Sequence, residues 1–291
     1  MNTMSNYSIT KLENGFTIYE LSESSTSSSV RICPERGGIA ISLVLHGKEL
    51  FYLDEATFLD REANIRGGNP ILFPICGQLT DAQYEWNGVI YPMKNHGVAR
   101  IKPWEVAGSS TDGQASLTLI LRSDAQTLAS YPFEFELEFT YILKDGKLRL
   151  EQQYRNHSNS AMPVYAGFHP YFATTGKAVR YETDATSYLD YNDMETKPIE
   201  GAIDLAGKVE SLTLLDAKSR EIAFPLDDST RVRMAYSDVF QYVVLWSVEG
   251  KPFICVEPWM AKTHELNRKE ELPLIEPGAT LEAWLEIGRE A

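Results

Sequence analysis

Cysteine is scarce in this sequence. Cys33, Cys76 and Cys255 are odd in number and far apart, so neither a disulfide framework nor a zinc cluster is expected. That usage suits a reducing compartment, and the cytoplasm is the expected location. Long apolar runs are missing as well: none approaches the roughly 20 residues of a membrane span. The polar stretch Met1 to Ser8 lacks the apolar core of a secretory signal. Positive charge is in deficit, with 27 Lys and Arg against 41 Asp and Glu, a net charge of −14. A nucleic-acid binder needs basic residues to displace counterions, so nucleic acid is excluded as a partner. The same deficit disfavours an anionic membrane surface and gives polyanions no general attraction. A small phosphate could still be held by one or two placed arginines. Helical periodicity is rare too: Asp124 to Ser130 is one of few helical turns, with Ser123 or Asp124 as its N-cap.

What is present is alternation with a period of two, the mark of half-buried strands. Phe16 to Leu21, Ser29 to Cys33, Ile39 to Leu45 and Glu49 to Leu53 alternate, with His46-Gly47 as a turn. Asn87-Gly88 joins Tyr84-Glu85-Trp86 to Val89-Ile90-Tyr91 in a hairpin whose turn needs φ > 0 at both central residues. Phe133, Phe135, Leu137, Phe139 and Tyr141 alternate into Asp145-Gly146 and back through Leu148, Leu150 and Tyr154. Those aromatics are expected to pack the core. Tyr181 to Tyr191, Val209 to Leu215 and Arg231 to Tyr236 continue the pattern, and Leu281 to Ile287 closes the chain. No repeat or linker divides the 291 residues, so the expectation is one all-β domain, a large antiparallel β-sandwich over 1–291.

Four stretches depart from simple alternation. In Tyr165-Ala166-Gly167-Phe168-His169-Pro170-Tyr171-Phe172, Pro170 forces His169 into an extended conformation, projecting the imidazole from stiff backbone. Ile65-Arg66-Gly67-Gly68-Asn69-Pro70 reads as a structured loop that can approach a ligand and carries a five-donor guanidinium. Asn95-His96-Gly97-Val98-Ala99-Arg100 resembles a ligand-contacting strand end. Phe253-Ile254-Cys255-Val256-Glu257-Pro258-Trp259 reads as a buried strand ending on a carboxylate, whose desolvation should raise its pKa and make it a better base. No grouping of His, Cys, Asp or Glu has metal-ligand spacing, so no metal site is expected.

Taken in this order, Arg66-Gly67-Gly68-Asn69-Pro70, His96-Gly97-Val98-Ala99-Arg100, Gly167-Phe168-His169-Pro170-Tyr171-Phe172 and Val256-Glu257-Pro258-Trp259 resemble the aldose 1-epimerase (galactose mutarotase) family. The likeness is to its bacterial branch, which also contains the hexose-6-phosphate mutarotases. The resemblance runs from about Ile39 to the final strand and implies a β-supersandwich with a sugar groove and no metal or organic cofactor. It implies His169 as general acid, Glu257 as general base, and His96 and Arg66 as sugar-binding residues, with Arg100 a further contact. Asp238 is the nearest match to the family's sugar-binding aspartate. The sequence departs from the longer galactose mutarotases in having Ile65 before Arg66 and Asn95 before His96, where they carry an asparagine and a second histidine.

Anomer interconversion needs a proton taken from the C1 hydroxyl and one given to the ring oxygen, and a carboxylate with a charged imidazole does both. Trp259, Phe168 and Tyr171 are expected to stack on the pyranose, and backbone groups of Gly67 to Asn69 to contact hydroxyls. The expected partner is a small sugar, a free aldohexose or a hexose 6-phosphate gripped by Arg66 and Arg100, bound by a monomer or homodimer. A non-catalytic sugar-binding protein is the reading from another class. A glycoside hydrolase ranks below both, since hydrolases use two carboxylates.

Overall fold

The alternation from Phe133 to Tyr154 becomes the middle of a seven-stranded antiparallel sheet. The computed structural model describes residues 6–290. Strand Phe135–Lys144 pairs with Lys147–Asn156 across a turn in which Asp145 and Gly146 both take positive φ. Outward from that pair the sheet continues through Ala115–Arg122 and Glu105–Ser110 on one side, and through Thr280–Glu290, Thr230–Tyr236 and Glu221–Asp227 on the other. Phe135, Leu137, Phe139, Tyr141, Leu150 and Tyr154 are all buried on one face, as period-two residues of neighbouring strands must be. Each such side chain contributes about 1.5–3 kcal/mol by leaving water.

A second sheet of eight strands carries the site. Its path runs Glu195–Pro198, Ser187–Asp190, Leu212–Leu215, Tyr242–Trp246, Phe253–Trp259, Gly167–Phe168 and Ile71–Leu72, with Tyr171–Ala173 also paired to Phe253–Trp259. Phe168 meets Phe139 at 6.3 Å and Phe172 meets Phe224 at 5.0 Å, so aromatic contacts join the two sheets. A five-stranded sheet, Tyr7 to Glu49, packs on the seven-stranded one, where the Tyr141 hydroxyl donates to the Gly38 carbonyl at 2.6 Å. The fold is the large antiparallel β-sandwich that alternation called for. One continuous apolar core runs from Leu21 to Ile287.

Helices are few: Glu55–Leu59, Ala125–Leu128 and Glu265–Arg268 are the α-helices among the described residues. Asp124, not Ser123, caps the second, in a reciprocal box with Thr127. Among the described residues, no helix is long and apolar enough to cross a membrane. Two segments read as strands are shorter than their alternation suggested. Tyr181 to Tyr191 keeps only Ser187–Asp190 as strand, and Val209 to Leu215 only Leu212–Leu215. Of the released residues, Tyr191 and Val209 to Ser211 line the cavity described next.

Candidate active site

Strand Phe253–Trp259 is buried at every position. Ile254 and Val256 enter the main core, while Phe253 and Cys255 turn the other way, packed with Tyr171. A strand covered on both faces reads as a near-continuous apolar run, and Glu257 interrupts this one on the second face. Gly167 pairs with Trp259 and Tyr171 with Cys255, so the antiparallel register sets His169 opposite Glu257. The His169 Nε2 lies 3.4 Å from Glu257 Oε1. Gly167 permits the approach: a Cβ there would lie 2.7 Å from Cδ1 of the Trp259 indole.

Each member of the pair is held in place. Trp259 Nε1 donates to Glu257 Oε2 at 3.1 Å. The His169 ring stacks on Tyr171 at 4.7 Å and meets the rings of His96 and Trp246 edge-on at 5.3 and 5.6 Å. Its Nδ1 has no hydrogen-bond partner. Burial pushes Glu257 well above the ordinary carboxyl range, with the Trp259 bond pulling weakly the other way. Burial, with the Arg100 charge adding to it, lowers His169 to about 3. Burial thus works against the charged form of both groups, including the charged His169 expected from sequence.

His96 takes a left-handed φ of 64°. Its N–H donates to the Gly77 carbonyl at 2.8 Å, and Gly77 N–H donates back to its Nδ1 at 3.1 Å. With Nδ1 accepting, the ring's own proton belongs on Nε2. Gly97 is required beside it, since at φ 72° a Cβ would collide with the Phe73 carbonyl. Desolvation keeps His96 well below its usual value.

A cavity of about 460 Å³ opens over this floor, lined by Arg66, His96, His169, Trp246, Glu257 and Trp259. Arg66 spreads its guanidinium 5.4 Å over the Trp246 ring. The cavity thus gathers five residues singled out from sequence: Arg66, His96, His169, Glu257 and Trp259. Arg100 faces a neighbouring cavity of about 350 Å³, where it donates to Asn64 Oδ1 at 2.6 Å.

Asn69 is buried in a bridge to Ala40 and lines neither cavity. Asp238 must be corrected: its side chain is 96% exposed, beside Arg220 at 3.7 Å, and outside the cavity. Phe168 points into the core and Tyr171 lies under His169, leaving Trp259 as the expected stacking residue that reaches the cavity. The Gly68 and Asn69 N–H groups are spent on Tyr52 and Ala40 carbonyls, so they are not free for sugar hydroxyls.

The far wall was missed. Tyr191, Met194, Val209, Glu210 and His264 line it. Asn192 sews it together, its Oδ1 accepting from the Val209 and Glu210 N–H groups at 2.9 Å each. Behind it the buried Asp190 carboxylate takes Lys197 at 2.7 Å and Lys208 at 2.5 Å. A useful signal was the turn chemistry of Tyr191-Asn192-Asp193, which argues against an unbroken strand. The structure also overturns the absence of a metal-ligand grouping. His169, Cys255 and Glu257 bring one ligand atom each to within 4.8 Å of one another.

The chain matches the family model described as "Aldose 1-epimerase" over residues 21–287, and it belongs to that family. It is similar to the Slr1438 protein from Synechocystis sp. PCC 6803, with 34% identity, 99% of both chains covered and a TM-score of 0.91. It is also 28% identical over 236 residues to the chromosomal Protein LacX of Lactococcus lactis subsp. lactis, covering 69% of this chain and 76% of that protein. The galactose 1-epimerase from Lactobacillus acidophilus NCFM shares the fold, with a TM-score of 0.74 at 14% identity over 99% of each chain.

Proposed function

We propose that the protein interconverts the α and β anomers of free aldohexoses, with Glu257 as general base and His169 as general acid. The observation that carries this is the pair itself: two titratable side chains 3.4 Å apart on the floor of a sugar-sized cavity. The two sugar oxygens involved are both bonded to C1, so one closely spaced pair reaches both. Burial shifts the two groups in opposite senses, leaving one proton to be shared between them. On Glu257 that proton gives the resting form, and on His169 it gives carboxylate beside imidazolium. A sugar donating its C1 hydroxyl to Glu257 and presenting its ring oxygen to His169 selects the second form. Glu257 then takes the hydroxyl proton, His169 gives its own to the ring oxygen, and the C1–ring oxygen bond breaks. Rotation about C1–C2 and reversal of both transfers closes the other anomer, with no net change in protons. His96 Nε2–H and the Arg66 fork are donors suited to the remaining hydroxyls.

Among the described residues Arg66 is the one arginine lining the cavity, and Glu210 on the opposite wall disfavours a dianion. A hexose 6-phosphate has one observation in its favour: Arg61, Lys94 and Arg100 line the neighbouring cavity, which shares Asn95 with the first. Anomer-exchange NMR on free and 6-phosphorylated aldoses tests both readings. The free-sugar reading requires kcat/KM for glucose to equal or exceed that for glucose 6-phosphate at physiological ionic strength. A strong preference for the phosphate, collapsing in Arg100→Ala and weakening with salt, would establish the other.

A further inference from the structure

We propose that His169, Cys255 and Glu257 form a three-ligand site for a thiophilic divalent cation, Zn²⁺ above all, and that occupancy silences the acid–base pair. Cys255 and Glu257 stand two residues apart on one strand and therefore share a face. The register Tyr171 to Cys255 brings His169 to that same face from the adjoining strand. The three ligand atoms all lie within 4.8 Å of one another, and all three side chains are buried. Tetrahedral Zn²⁺ binds imidazole nitrogen and carboxylate oxygen at about 2.0–2.2 Å and thiolate sulfur at about 2.3 Å. Neighbouring ligand atoms around such an ion stand about 3.5 Å apart, and the His169–Glu257 separation of 3.4 Å already meets that spacing.

The donor set is selective. An imidazole, a thiolate and one carboxylate suit Zn²⁺, while Mg²⁺ and Ca²⁺ demand oxygen ligands. The Arg66 and Arg100 guanidiniums near the site oppose a bare dication, but a thiolate with a carboxylate cancels its charge, so the occupied site is neutral. His169 and Glu257 line the cavity and Cys255 lies behind them, which leaves the fourth position open to water or sugar. A cation there occupies the nitrogen and the carboxylate that would otherwise exchange protons with the sugar. Cys255 has no part in those transfers, so the thiol separates metal binding from turnover.

Isothermal calorimetry of ZnCl₂ into the metal-free 291-residue chain is the deciding experiment, with circular dichroism on every variant. The expected result is one equivalent bound, weakened by at least about 100-fold in both Cys255→Ser and Cys255→Ala, since even outer-shell changes cost 10–100-fold. Co²⁺ in place of Zn²⁺ should show a thiolate-to-metal absorption band that both Cys255 variants lack. Cys255→Ser should keep native turnover and lose inhibition by Zn²⁺. Absence of saturable binding, or binding undiminished in both Cys255 variants, overturns the proposal. Calorimetry reads binding without any sugar, so the result is independent of whether the chain interconverts anomers.

Discussion

Replacing Glu257 by glutamine separates chemistry from packing at this site. The amide matches the carboxyl in shape, and its oxygen can keep accepting from Trp259 Nε1, now 3.1 Å from the carboxylate. Its NH₂ then faces His169 Nε2, 3.4 Å from the present Oε1, and can only donate to it. That arrangement fixes the imidazole proton on Nδ1, away from the sugar. The substitution thus removes the base and turns the acid's proton away in one step. General acid–base catalysis contributes on the order of 10²–10⁴-fold, and the loss should fall near the upper end, about 5 kcal/mol of transition-state stabilisation. KM for glucose should change little, because the Arg66 and His96 donors are untouched. The melting temperature should stay within about 3 °C of native, since the Trp259 hydrogen bond survives. Glu257→Ala, by contrast, strands the buried Trp259 N–H, which costs about 1–3 kcal/mol, and lowers the melting temperature as well. The assay is saturation-transfer NMR between glucose anomers, with the spontaneous rate subtracted. Turnover of Glu257→Gln within tenfold of native, in a folded protein, would refute the role of Glu257 as base.

His169→Asn should cut kcat by at least about 100-fold with an unchanged circular dichroism spectrum; a near-native rate would remove His169 from the chemistry. His96→Ala should chiefly raise KM, and a loss confined to kcat would make His96 a proton donor instead. Asp190→Asn should destabilise by about 2–3 kcal/mol, below the range for fully buried pairs because Lys197 and Lys208 stay partly hydrated. Burial alone would raise the Asp190 carboxyl, but bonds from Lys197, Lys208 and Asn192 outweigh it and hold the group far below the usual range. Its folded pKa being depressed, its stabilisation is complete above the unfolded value near 3.9 and fades as pH falls below it. Native protein should therefore lose stability more steeply than Asp190→Asn below about pH 4 in urea titrations; parallel acid limbs would contradict this.

Legibility in the sequence followed how local each constraint is. Asp145-Gly146 and Asn87-Gly88 announced hairpins because positive φ is a property of two adjacent residues, and both turns have it. Period-two alternation located the strands of the large sheets because each strand writes its own pattern. It overran at Tyr181 to Tyr191 and at Val209 to Leu215; in the second, Val209, 77% exposed, lines the cavity wall rather than a core. Asp238 could not be placed from its neighbours, since an aspartate in a turn looks the same whether it faces a groove or solvent.

The pKa shift of His169 was hidden for another reason. Its shift comes from burial under strands remote in sequence and from Arg100, and nothing in Gly167 to Phe172 encodes either. The metal-ligand grouping escaped for the same cause. Cys255 and Glu257 are visibly on one face, but their third partner arrives only through the pairing of Tyr171 with Cys255. Both proposed roles of these residues depend on that register. Counting two residues back from Tyr171 and two on from Cys255 gives His169 opposite Glu257, and four gives Gly167 opposite Trp259. A slip of one residue would send Glu257, and Cys255 with it, to the core face of Ile254 and Val256, away from His169. Gly167, opposite Trp259 in this register, leaves the room that the indole needs.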